Sequence, residues 1–378
     1  MRLGRLGWAT VALAGMVVWA WPCVAQTVSE SETALRTTKG FRNRYVDKVT
    51  HSLPTVLRWQ WDAWRQGLPH APETPTPRAE PELAALQDYR QRHAQDAALA
   101  PPLLTWVGHA TALLQLGGLS VLTDPMFSER AFPVQFAGPR RAQPPGLALD
   151  ALPPMDVVLI SHNHYDHLDR RSVAALEGQA IARGQALVFL VPLGLKPLLQ
   201  GWGVRQVQEL DWWESVTVAG VEFHLTPVQH WSARGLGDDS HTLWGGWSVL
   251  APELHAYFGG DSGYSPDFAD TRAHFASRQT PEQGGGFDVA LLPIGAYEPQ
   301  WFMHAQHMSP ADAVRAHADL GSKRSIGIHW GTFPLADEPL DQAPRDLAVA
   351  RKALGLDETA FGVLRLGETV RLAPRQPG

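Results

Sequence analysis

Cysteine is nearly absent from this chain of 378 residues, which has only Cys23. A single cysteine cannot form a disulfide within the chain, and it excludes a metal site built from several thiolates. Any zinc must therefore be held by histidine and carboxylate groups. Long basic tracts and solenoid-type repeats are absent too, and the formal net charge is −6, so we expect no nucleic-acid partner and no repeat architecture.

The longest apolar run of the sequence stands at its N-terminus, at positions 6–21, behind a short basic start. Small residues follow at Cys23 and Ala25, which is the order that signal peptidase recognises. We therefore expect residues 1–25 to be a signal peptide cleaved after Ala25, and the protein to be periplasmic or secreted. An uncleaved anchor is the alternative, because the run is only slightly short of a membrane span. Cleavage would leave 30 basic against 38 acidic residues, a net charge of −8.

Histidine and tryptophan are, by contrast, abundant, with 16 and 15 residues. The composition is otherwise that of a globular protein, 44% hydrophobic and 19% charged, which is enough for a large buried core. Residues 26–100 are predicted to be a leader and linker, with a proline-rich stretch at 71–80. Three tryptophans lie in a predicted amphipathic helix at 53–68, which would lie either on a membrane surface or against its own domain.

From residue 101 to residue 375 the hydrophobic pattern changes to short apolar runs separated by glycine or histidine. Strands are predicted at 103–107, 112–116, 119–122, 156–160, 187–191, 222–227, 244–250, 256–258, 288–293 and 325–329. Helices are predicted at 171–182, 194–200, 311–320 and 345–354. Strands that come first in a run and then alternate with helices are typical of an α/β protein, in which helices cover the outer faces of sheets.

The segment 161–167 reads SHNHYDH and directly follows a predicted apolar strand. Three imidazoles and a carboxylate so close together are costly unless they are solvated or bind a cation. Zinc takes imidazole nitrogen and carboxylate oxygen, so we expect His162 and His164 to face one ion. Asp166 and His167 would then turn toward a second ion. The alternative is a solvated histidine-rich loop without a metal.

Three later residues, His230, Asp261 and His329, each follow an apolar strand and would complete the two ligand sets. Asp261 stands in the glycine-rich segment GGDSGY, where the backbone can approach a ligand closely, and its carboxylate is the candidate to bridge two metals. A lone histidine at a strand end is more commonly a structural, hydrogen-bonded residue, and we favour that interpretation for His109. The alternative is that His109 supports the metal site by contacting a ligand residue. Asp169 is expected to hydrogen-bond a ligand imidazole.

The HNHYDH motif, together with the three later residues, resembles the metallo-β-lactamase superfamily. Additional blocks, PIGAYEPQWFM at 293–303 and ELDWWE at 209–214, resemble N-acylphosphatidylethanolamine-hydrolysing phospholipase D and its bacterial relatives. The resemblance extends from about residue 40 to residue 375. It implies an α/β fold of αββα type, with two mixed sheets and helices on the outer faces. It also implies a catalytic domain at 101–375 and a homodimer.

The resemblance further implies two zinc ions per chain. One zinc would be bound by His162, His164 and His230, and the other by Asp166, His167 and His329, with Asp261 between them. An additional site histidine of the family matches His307. Gln306 beside it and Tyr165 in the motif are expected to contact the substrate.

These features predict a zinc-dependent phosphodiesterase of phospholipase D type, acting on an N-acylphosphatidylethanolamine-like phospholipid. Our hypothesis is that a hydroxide bridging the two zinc ions attacks phosphorus. Asp166 would orient this nucleophile, and His307 would donate a proton or hydrogen bond to the departing alkoxide. Two alternatives stay open: the same site acting on a lactone or another ester, and a non-catalytic lipid-binding protein of the same fold. The fatty substrate and the tryptophans also favour peripheral membrane contact.

Overall fold

The computed structural model describes residues 25–26, 35–47 and 49–375. The predicted signal peptide lies outside the described residues except for Ala25, so it stays a prediction. The strands in chain order are β1 (Ala25–Gln26), β2 (Leu35–Arg36), β3 (Phe41–Arg42), β4 (Leu103–Gly108), β5 (Thr111–Leu116), β6 (Leu119–Thr123), β7 (Val157–Leu159), β8 (Val188–Pro192), β9 (Val207–Leu210), β10 (Ser215–Val218), β11 (Val221–Thr226), β12 (Gly246–Ala251), β13 (Leu254–Phe258), β14 (Val289–Pro293), β15 (Ser325–Ile328), β16 (Phe361–Gly362) and β17 (Thr369–Arg371). The helices are α1 (Leu53–Gln66), α2 (Leu83–Gln95), α3 (Arg170–Ala182), α4 (Lys196–Gly201), α5 (Asp267–His274), α6 (Gln300–Met303), α7 (Pro310–Leu320) and α8 (Gln342–Ala353).

The strands form two large sheets and one small two-stranded sheet, β2-β3. One large sheet has eight strands in the order β1-β10-β11-β12-β13-β14-β15-β16, and the other has seven in the order β17-β4-β5-β6-β7-β8-β9. Both large sheets are mixed in the same way. An antiparallel run, β10 to β13 in one and β4 to β6 in the other, is followed by parallel strands.

The strands of the seven-stranded sheet are buried on both faces, and their side chains alternate between two cores. In β5, Ala112 and Leu114 face the core shared with the eight-stranded sheet, whereas Leu113 faces the core beneath the helices. In β7, Val157 faces the shared core and Val158 faces the core beneath the helices. Successive side chains of a strand point to opposite faces, so a sheet covered on both sides requires nearly continuous apolar strands.

Helices cover the outer face of each large sheet. Helices α3 and α4 place Leu176 and Leu199 in the outer core of the seven-stranded sheet. Helices α7 and α8 pack on each other and place Val314 and Leu347 in the core of the eight-stranded sheet. The layers therefore run helix, sheet, sheet, helix, and the predicted αββα sandwich is confirmed.

Helix α2 lies within the residues 26–100 that the sequence pattern indicated as a leader and linker. Its Leu86 and Tyr89 are each only 1% exposed, within the outer core of the seven-stranded sheet. The chain before α2 is also attached, because Ala79 N–H donates to the Leu366 carbonyl. The compact part of the chain therefore includes α2, and the boundary predicted at residue 101 lies inside it. Only two side chains of α2 are buried, so its apolar periodicity was too weak to indicate a packed helix.

Helix α1 occupies the predicted tryptophan-rich segment, and its two faces have different environments. Trp59 stacks on Phe302 with ring centroids 4.6 Å apart, and its Nε1–H donates to Asp337 at 2.9 Å. Trp61 and Trp64 are 58% and 71% exposed. One face therefore packs against its own domain, as one of the two interpretations had it, and the other presents aromatic rings to the surface. None of the helices in the described part of the chain is long and apolar enough to cross a membrane.

Candidate metal centre

The candidate site lies where loops leave the carboxyl ends of strands from both large sheets. His162 follows β7, whereas Asp261 follows β13 and His329 follows β15. Parallel strands of one sheet present their carboxyl ends at one edge, and sheet packing brings the two edges together. All three side chains are at most 2% exposed. The structure brings all seven predicted ligand residues to this one place.

Three histidines form a first cluster. His164 Nδ1 lies 2.8 Å from His162 Nε2 and 3.3 Å from His230 Nε2. Two ligand atoms bound about 2.1 Å from one tetrahedral zinc ion lie about 3.4 Å apart, so these nitrogens are spaced to share an ion. His162 and His164 are neighbours in the motif, whereas His230 comes from the loop after β11.

A second cluster forms around the Asp166 carboxylate. Its Oδ2 lies 3.3 Å from His167 Nε2 and 3.3 Å from His329 Nε2. His109 Nε2 lies 2.9 Å from the same oxygen, and the His109 side chain is 1% exposed. His109 is thus buried and hydrogen-bonded, as its sequence context indicated, but its partner is a carboxylate of the site.

Asp261 lies between the two clusters. Its Oδ2 is 3.1 Å from His167 Nε2 and 3.2 Å from His329 Nε2 in the second cluster. The same oxygen is 3.9 Å from His162 Nε2 and 3.8 Å from His230 Nε2 in the first. One carboxylate oxygen is therefore within reach of both ligand sets, which is the position required of a residue that bridges two metal ions.

The ring nitrogens that face away from the centre are held by hydrogen bonds. His230 Nδ1–H donates to the Gln306 carbonyl at 2.9 Å, and His162 Nδ1–H donates to Ser161 Oγ at 2.9 Å. Each bond places the proton on Nδ1 and leaves Nε2 as an acceptor directed into the centre. Orientation of ligand imidazoles through their second nitrogen is the usual arrangement at protein metal sites.

Asp124 is the residue of the site that the sequence analysis missed. It directly follows β6, is fully buried, and accepts hydrogen bonds from His167 Nδ1 at 2.6 Å and from Ser161 N–H at 2.7 Å. The sequence feature that could have identified Asp124 is its position directly after an apolar strand. Asp169, which was expected to hold a ligand imidazole, instead accepts from the Ser172 N–H at 3.2 Å and caps helix α3. That expectation for Asp169 was wrong.

The donor atoms of the centre fit metal ions. Asp261 Oδ1, His164 Nε2 and His307 Nδ1 are buried without a hydrogen-bond partner among the described residues. Buried polar atoms are normally paired, so several unpaired donor and acceptor atoms around one centre are what a bound cation would satisfy. Imidazole nitrogen and carboxylate oxygen are ligands that zinc accepts, which agrees with the absence of thiolates.

The two clusters differ in charge. In the first, burial lowers the pKa of His162 and His230 well below the ordinary value and that of His164 to about 4. In the second, burial opposes protonation, but the Asp261 carboxylate and its neighbours raise the pKa of His329 to about 9 and that of His167 well above its ordinary value. In the metal-free protein the first cluster is neutral at pH 7, whereas the second carries protons.

Metal binding is therefore expected to release about two protons at pH 7, because a metal ion must displace the protons of His167 and His329. The sign follows from the raised pKa values: metal affinity at the second cluster should increase with pH until about pH 9, whereas the first cluster should change little between pH 6 and 8. Calorimetric titration of metal-free protein in buffers of different ionisation enthalpy measures the proton release. Release of no protons would contradict the assignment of His167 and His329 as ligands.

A cavity of about 510 Å³ opens beside the two clusters. One part of its wall belongs to the metal centre and contains His164, Asp166 and Asp261. Another part is apolar and consists of Val56, Trp59, Ala131, Trp231, Ala233, Ala296, Phe302, Met303 and Leu335. The apolar wall includes two residues of α1, so the tryptophan-rich helix contributes to the same cavity as the metal ligands.

The other predicted site residues also line this cavity: Tyr165, Gln306 and His307. The Tyr165 hydroxyl donates to the Arg234 carbonyl at 2.8 Å, and the Arg234 guanidinium lies 4.0 Å from the centre of the Tyr165 ring. Tyr165 thus both lines the cavity and packs its loop. Among the described residues that line the cavity, Arg234 is the one arginine or lysine, and it gives this wall a fixed positive side chain.

The loop between β14 and α6 is anchored by the Glu338 carboxylate, and Gln306 and His307 follow directly after α6. Glu338 accepts hydrogen bonds from Ala296 N–H at 2.6 Å and from Glu298 N–H at 3.1 Å. Burial raises the pKa of Glu338 to about 7, although these backbone N–H groups favour its ionised form. Ala296 adopts a left-handed φ of 62°, a strained conformation for a residue with a side chain, which these contacts hold in place.

Comparison with known proteins identifies the family. The model of the beta-lactamase superfamily domain matches residues 120–330, which contain the HNHYDH motif, His230, Asp261 and His329. The chain belongs to the metallo-β-lactamase superfamily. Within this superfamily of metal-dependent hydrolases, a "possible metal-dependent hydrolase" from Veillonella parvula has a similar structure, with a TM-score of 0.57 and 20% identity over 72% of this chain and 100% of that chain. Isothiocyanate hydrolase from Delia radicum gut bacteria has a TM-score of 0.54 at 19% identity, over 72% and 99%. These two similarities show the fold alone.

Relatives within the superfamily are more similar in sequence. An uncharacterized protein of Mycobacterium tuberculosis is 44% identical over 252 residues, and the alignment covers 65% of this chain and 63% of the relative's length. N-acyl-phosphatidylethanolamine-hydrolyzing phospholipase D 1 of Caenorhabditis elegans is 39% identical over 277 residues, covering 70% and 74%. The mitochondrial enzyme of that name in Saccharomyces cerevisiae is 32% identical over 64% of this chain and 50% of its own length.

Proposed function

We propose that the protein is a zinc-dependent phosphodiesterase of phospholipase D type that hydrolyses N-acylphosphatidylethanolamine-like phospholipids. The observation that carries this proposal is the cavity, which joins a double metal-ligand cluster to an apolar wall. A phosphodiester with a fatty chain has one part suited to each region. The similarity to the nematode phospholipase D supports the same substrate class.

We assign two zinc ions to the two clusters, with Asp261 reaching both. Zinc ions supply Lewis acidity, which lowers the pKa of a water and neutralises negative charge that gathers on phosphoryl oxygens. Asp166 is 14% exposed at the cavity wall, where its carboxylate can orient a water for attack on phosphorus. His307 lies on the same wall, with Nδ1 3.8 Å from Asp261 Oδ2. Burial lowers the pKa of His307 to about 4, so at neutral pH its imidazole is uncharged and can donate a hydrogen bond to the leaving alkoxide.

The positive side chain in the cavity favours an anionic substrate over a neutral ester. Burial lowers the pKa of Arg234, but an arginine retains its charge at neutral pH, and its guanidinium is fixed by carbonyls of Asn163 and Leu168 at 2.8 and 2.7 Å. A phosphodiester carries a negative charge, whereas a lactone does not. Tyr165 and Gln306, which also line the cavity, would contact the substrate.

The decisive experiment compares substrates on protein expressed from Gln26 and loaded with zinc. We expect release of N-acylethanolamine from N-acylphosphatidylethanolamine, with about two zinc ions bound per chain. Hydrolysis of an acyl lactone without phosphodiester turnover would contradict the proposal and favour the esterase alternative. Lipid binding without any turnover, equal in metal-free protein, would favour a non-catalytic lipid-binding protein.

We also propose that the cavity is reached from a lipid surface. The exposed rings of Trp61 and Trp64 have centroids 5.1 Å apart, on the helix whose Trp59 lines the cavity. Trp301, 46% exposed, is adjacent to Phe302 of the same apolar wall. Exposed aromatic rings beside an apolar cavity are typical of an interfacial helix, and their insertion would place the cavity at the membrane surface.

Replacing both Trp61 and Trp64 by serine is therefore expected to weaken binding to phospholipid vesicles roughly tenfold or more, since each buried ring contributes one or more kcal/mol. Vesicle flotation measures the bound fraction. Val349 and Leu354, which are exposed on or just after α8, provide the control, because serine at both positions removes exposed apolar groups away from the cavity. Equal flotation of both double variants would contradict membrane contact through α1.

A further inference from the structure

A short segment near the N-terminus, residues 41–44, crosses the loop that carries His230. We call this segment the strap. It is attached at both ends, because Phe41 N–H donates to the Ser240 carbonyl at 2.8 Å and the Arg44 guanidinium pairs with Asp267 at 3.0 Å. The Phe41 side chain is buried in the main core. The strap is thus a docked part of the domain, although it lies in the predicted leader.

Between these two attachments, Asn43 pairs with the backbone of His230. The Asn43 Nδ2–H donates to the His230 carbonyl at 2.9 Å, and the His230 N–H donates to Asn43 Oδ1 at 2.9 Å. The Asn43 side chain is 5% exposed, so water does not readily replace either bond. One amide side chain therefore satisfies both backbone polar groups of a predicted metal ligand 187 residues away in the sequence.

The rest of His230 is equally fixed. Its Nδ1–H donates to the Gln306 carbonyl, and its Nε2 lies 3.3 Å from His164 Nδ1. The backbone of His230 lies beyond the end of β11; an isolated β-bridge joins the preceding Gln229 to Gly263, but both polar backbone groups of His230 itself pair with Asn43. Asn43 supplies the support that a neighbouring strand would otherwise give. With Asn43 and Gln306 together, both the backbone and the ring of this ligand are held.

We infer that Asn43 is a positioning residue for the metal centre, which sets the location of His230 and hence the affinity of the His162–His164–His230 cluster for its ion. This inference rests on the metal centre proposed above and is independent of the substrate. The family match begins at residue 120 and does not include the strap. Loss of a residue that orients a metal ligand typically lowers metal affinity 10–100-fold.

The test compares Asn43→Ala and Asn43→Asp with Arg42→Ala. Alanine removes both hydrogen bonds, while aspartate keeps the shape and the acceptor but places an oxygen opposite the His230 carbonyl. Arg42 is the adjacent strap residue, and its side chain is exposed, so its replacement controls for a change in the strap itself. Zinc binding is measured by competition with a chromogenic chelator, which resolves the two binding steps without any substrate.

We expect both Asn43 variants to weaken one of the two zinc-binding steps about 10–100-fold and Arg42→Ala to weaken neither. At saturating zinc, turnover should return with an unchanged KM, because the substrate wall of the cavity is not altered. Unchanged zinc affinity in both Asn43 variants, or equal weakening of both steps, would overturn the inference. Wild-type protein that binds zinc tightly but hydrolyses no phosphodiester would refute the proposed function alone. The role of Asn43 would still be decided by the zinc affinities of its variants.

Discussion

Replacing Asp261 by asparagine is expected to lower turnover roughly a thousandfold, equivalent to about 4 kcal/mol of transition-state stabilisation, and to reduce metal content below two ions per chain. The substitution keeps the size of the side chain and removes its charge. No other carboxylate oxygen among the described residues is recorded within 4 Å of ring nitrogens from both clusters, so no neighbour can take over its place.

We expect this effect of Asp261→Asn because one oxygen of Asp261 is surrounded by imidazoles that can bind cations or carry protons. Five ring nitrogens lie within 4 Å of Asp261 Oδ2, and four of them belong to the predicted ligands His162, His167, His230 and His329, which can share two cations. Burial opposes ionisation of Asp261, but His167 and His329 outweigh it and lower its pKa well below the ordinary value. Asp261 is therefore a full negative charge throughout the working pH range. An amide at this position offers a weaker ligand oxygen and, on its other side, an N–H that repels a cation.

Elemental analysis and initial-rate measurements check this prediction together. Asp150 provides the matched control, because it is an exposed carboxylate in a surface turn, and Asp150→Asn should retain both metal ions and activity. Wild-type metal content and turnover in Asp261→Asn would show that Asp261 is not a metal ligand. Loss of metal with folding intact, shown by an unchanged circular dichroism spectrum, would separate a ligand role from a general loss of structure.

Asp124→Asn is expected to lower both stability and metal affinity, because all contacts of this buried carboxylate are with donors. Asp124 accepts from His167 Nδ1, from the Ser161 N–H and from the Ser161 hydroxyl. The NH₂ group of asparagine must face one of these donors, and a buried donor left without an acceptor costs about 1–3 kcal/mol. Displacement of His167 should also weaken metal binding about 10–100-fold.

Chemical denaturation of metal-free protein measures the first effect, and chelator competition measures the second. Asp169→Asn is the matched control, since Asp169 caps α3 and accepts from Ser128 and Ser172 but is not recorded in contact with a ligand imidazole. Asp169 is also buried and also accepts only from donors, so Asp169→Asn should lower stability as well, but it should leave metal affinity unchanged. If Asp169→Asn lowered metal affinity and Asp124→Asn did not, then Asp169, and not Asp124, would be the carboxylate that orients a ligand.

The candidate ligands could be proposed from the sequence because they stand in loops that follow apolar strands. Strands and their ends are local features, readable from runs of apolar residues and the polar residue that follows. His162, Asp261 and His329 all satisfy this description. Asp124 satisfies it as well, and it was missed because a single carboxylate after a strand has many structural roles. For His109 the favoured interpretation was a buried structural residue, and its contact with Asp166 agrees with the alternative, a residue that supports the site.

The strained backbone around the centre could not be predicted. His109, Asp124 and His329 adopt left-handed φ angles of 55°, 30° and 63°. Residues with side chains enter this region only when surrounding contacts require it. His329 N–H, for example, donates to the His109 carbonyl at 3.0 Å, and that bond joins residues from different sheets. No property of either residue taken alone indicates this conformation.

The sequence by itself determined the class of fold and the side chains that are candidates to bind metal, because both depend on patterns within a few residues: apolar alternation and the HNHYDH spacing. Only the tertiary structure decided which groups hold those side chains in place. Asn43 meets His230 across 187 residues, and Trp59 meets Phe302 across two separate helices. Such contacts depend on how the sheets and helices pack, and packing is a property of the whole chain, not of any local segment.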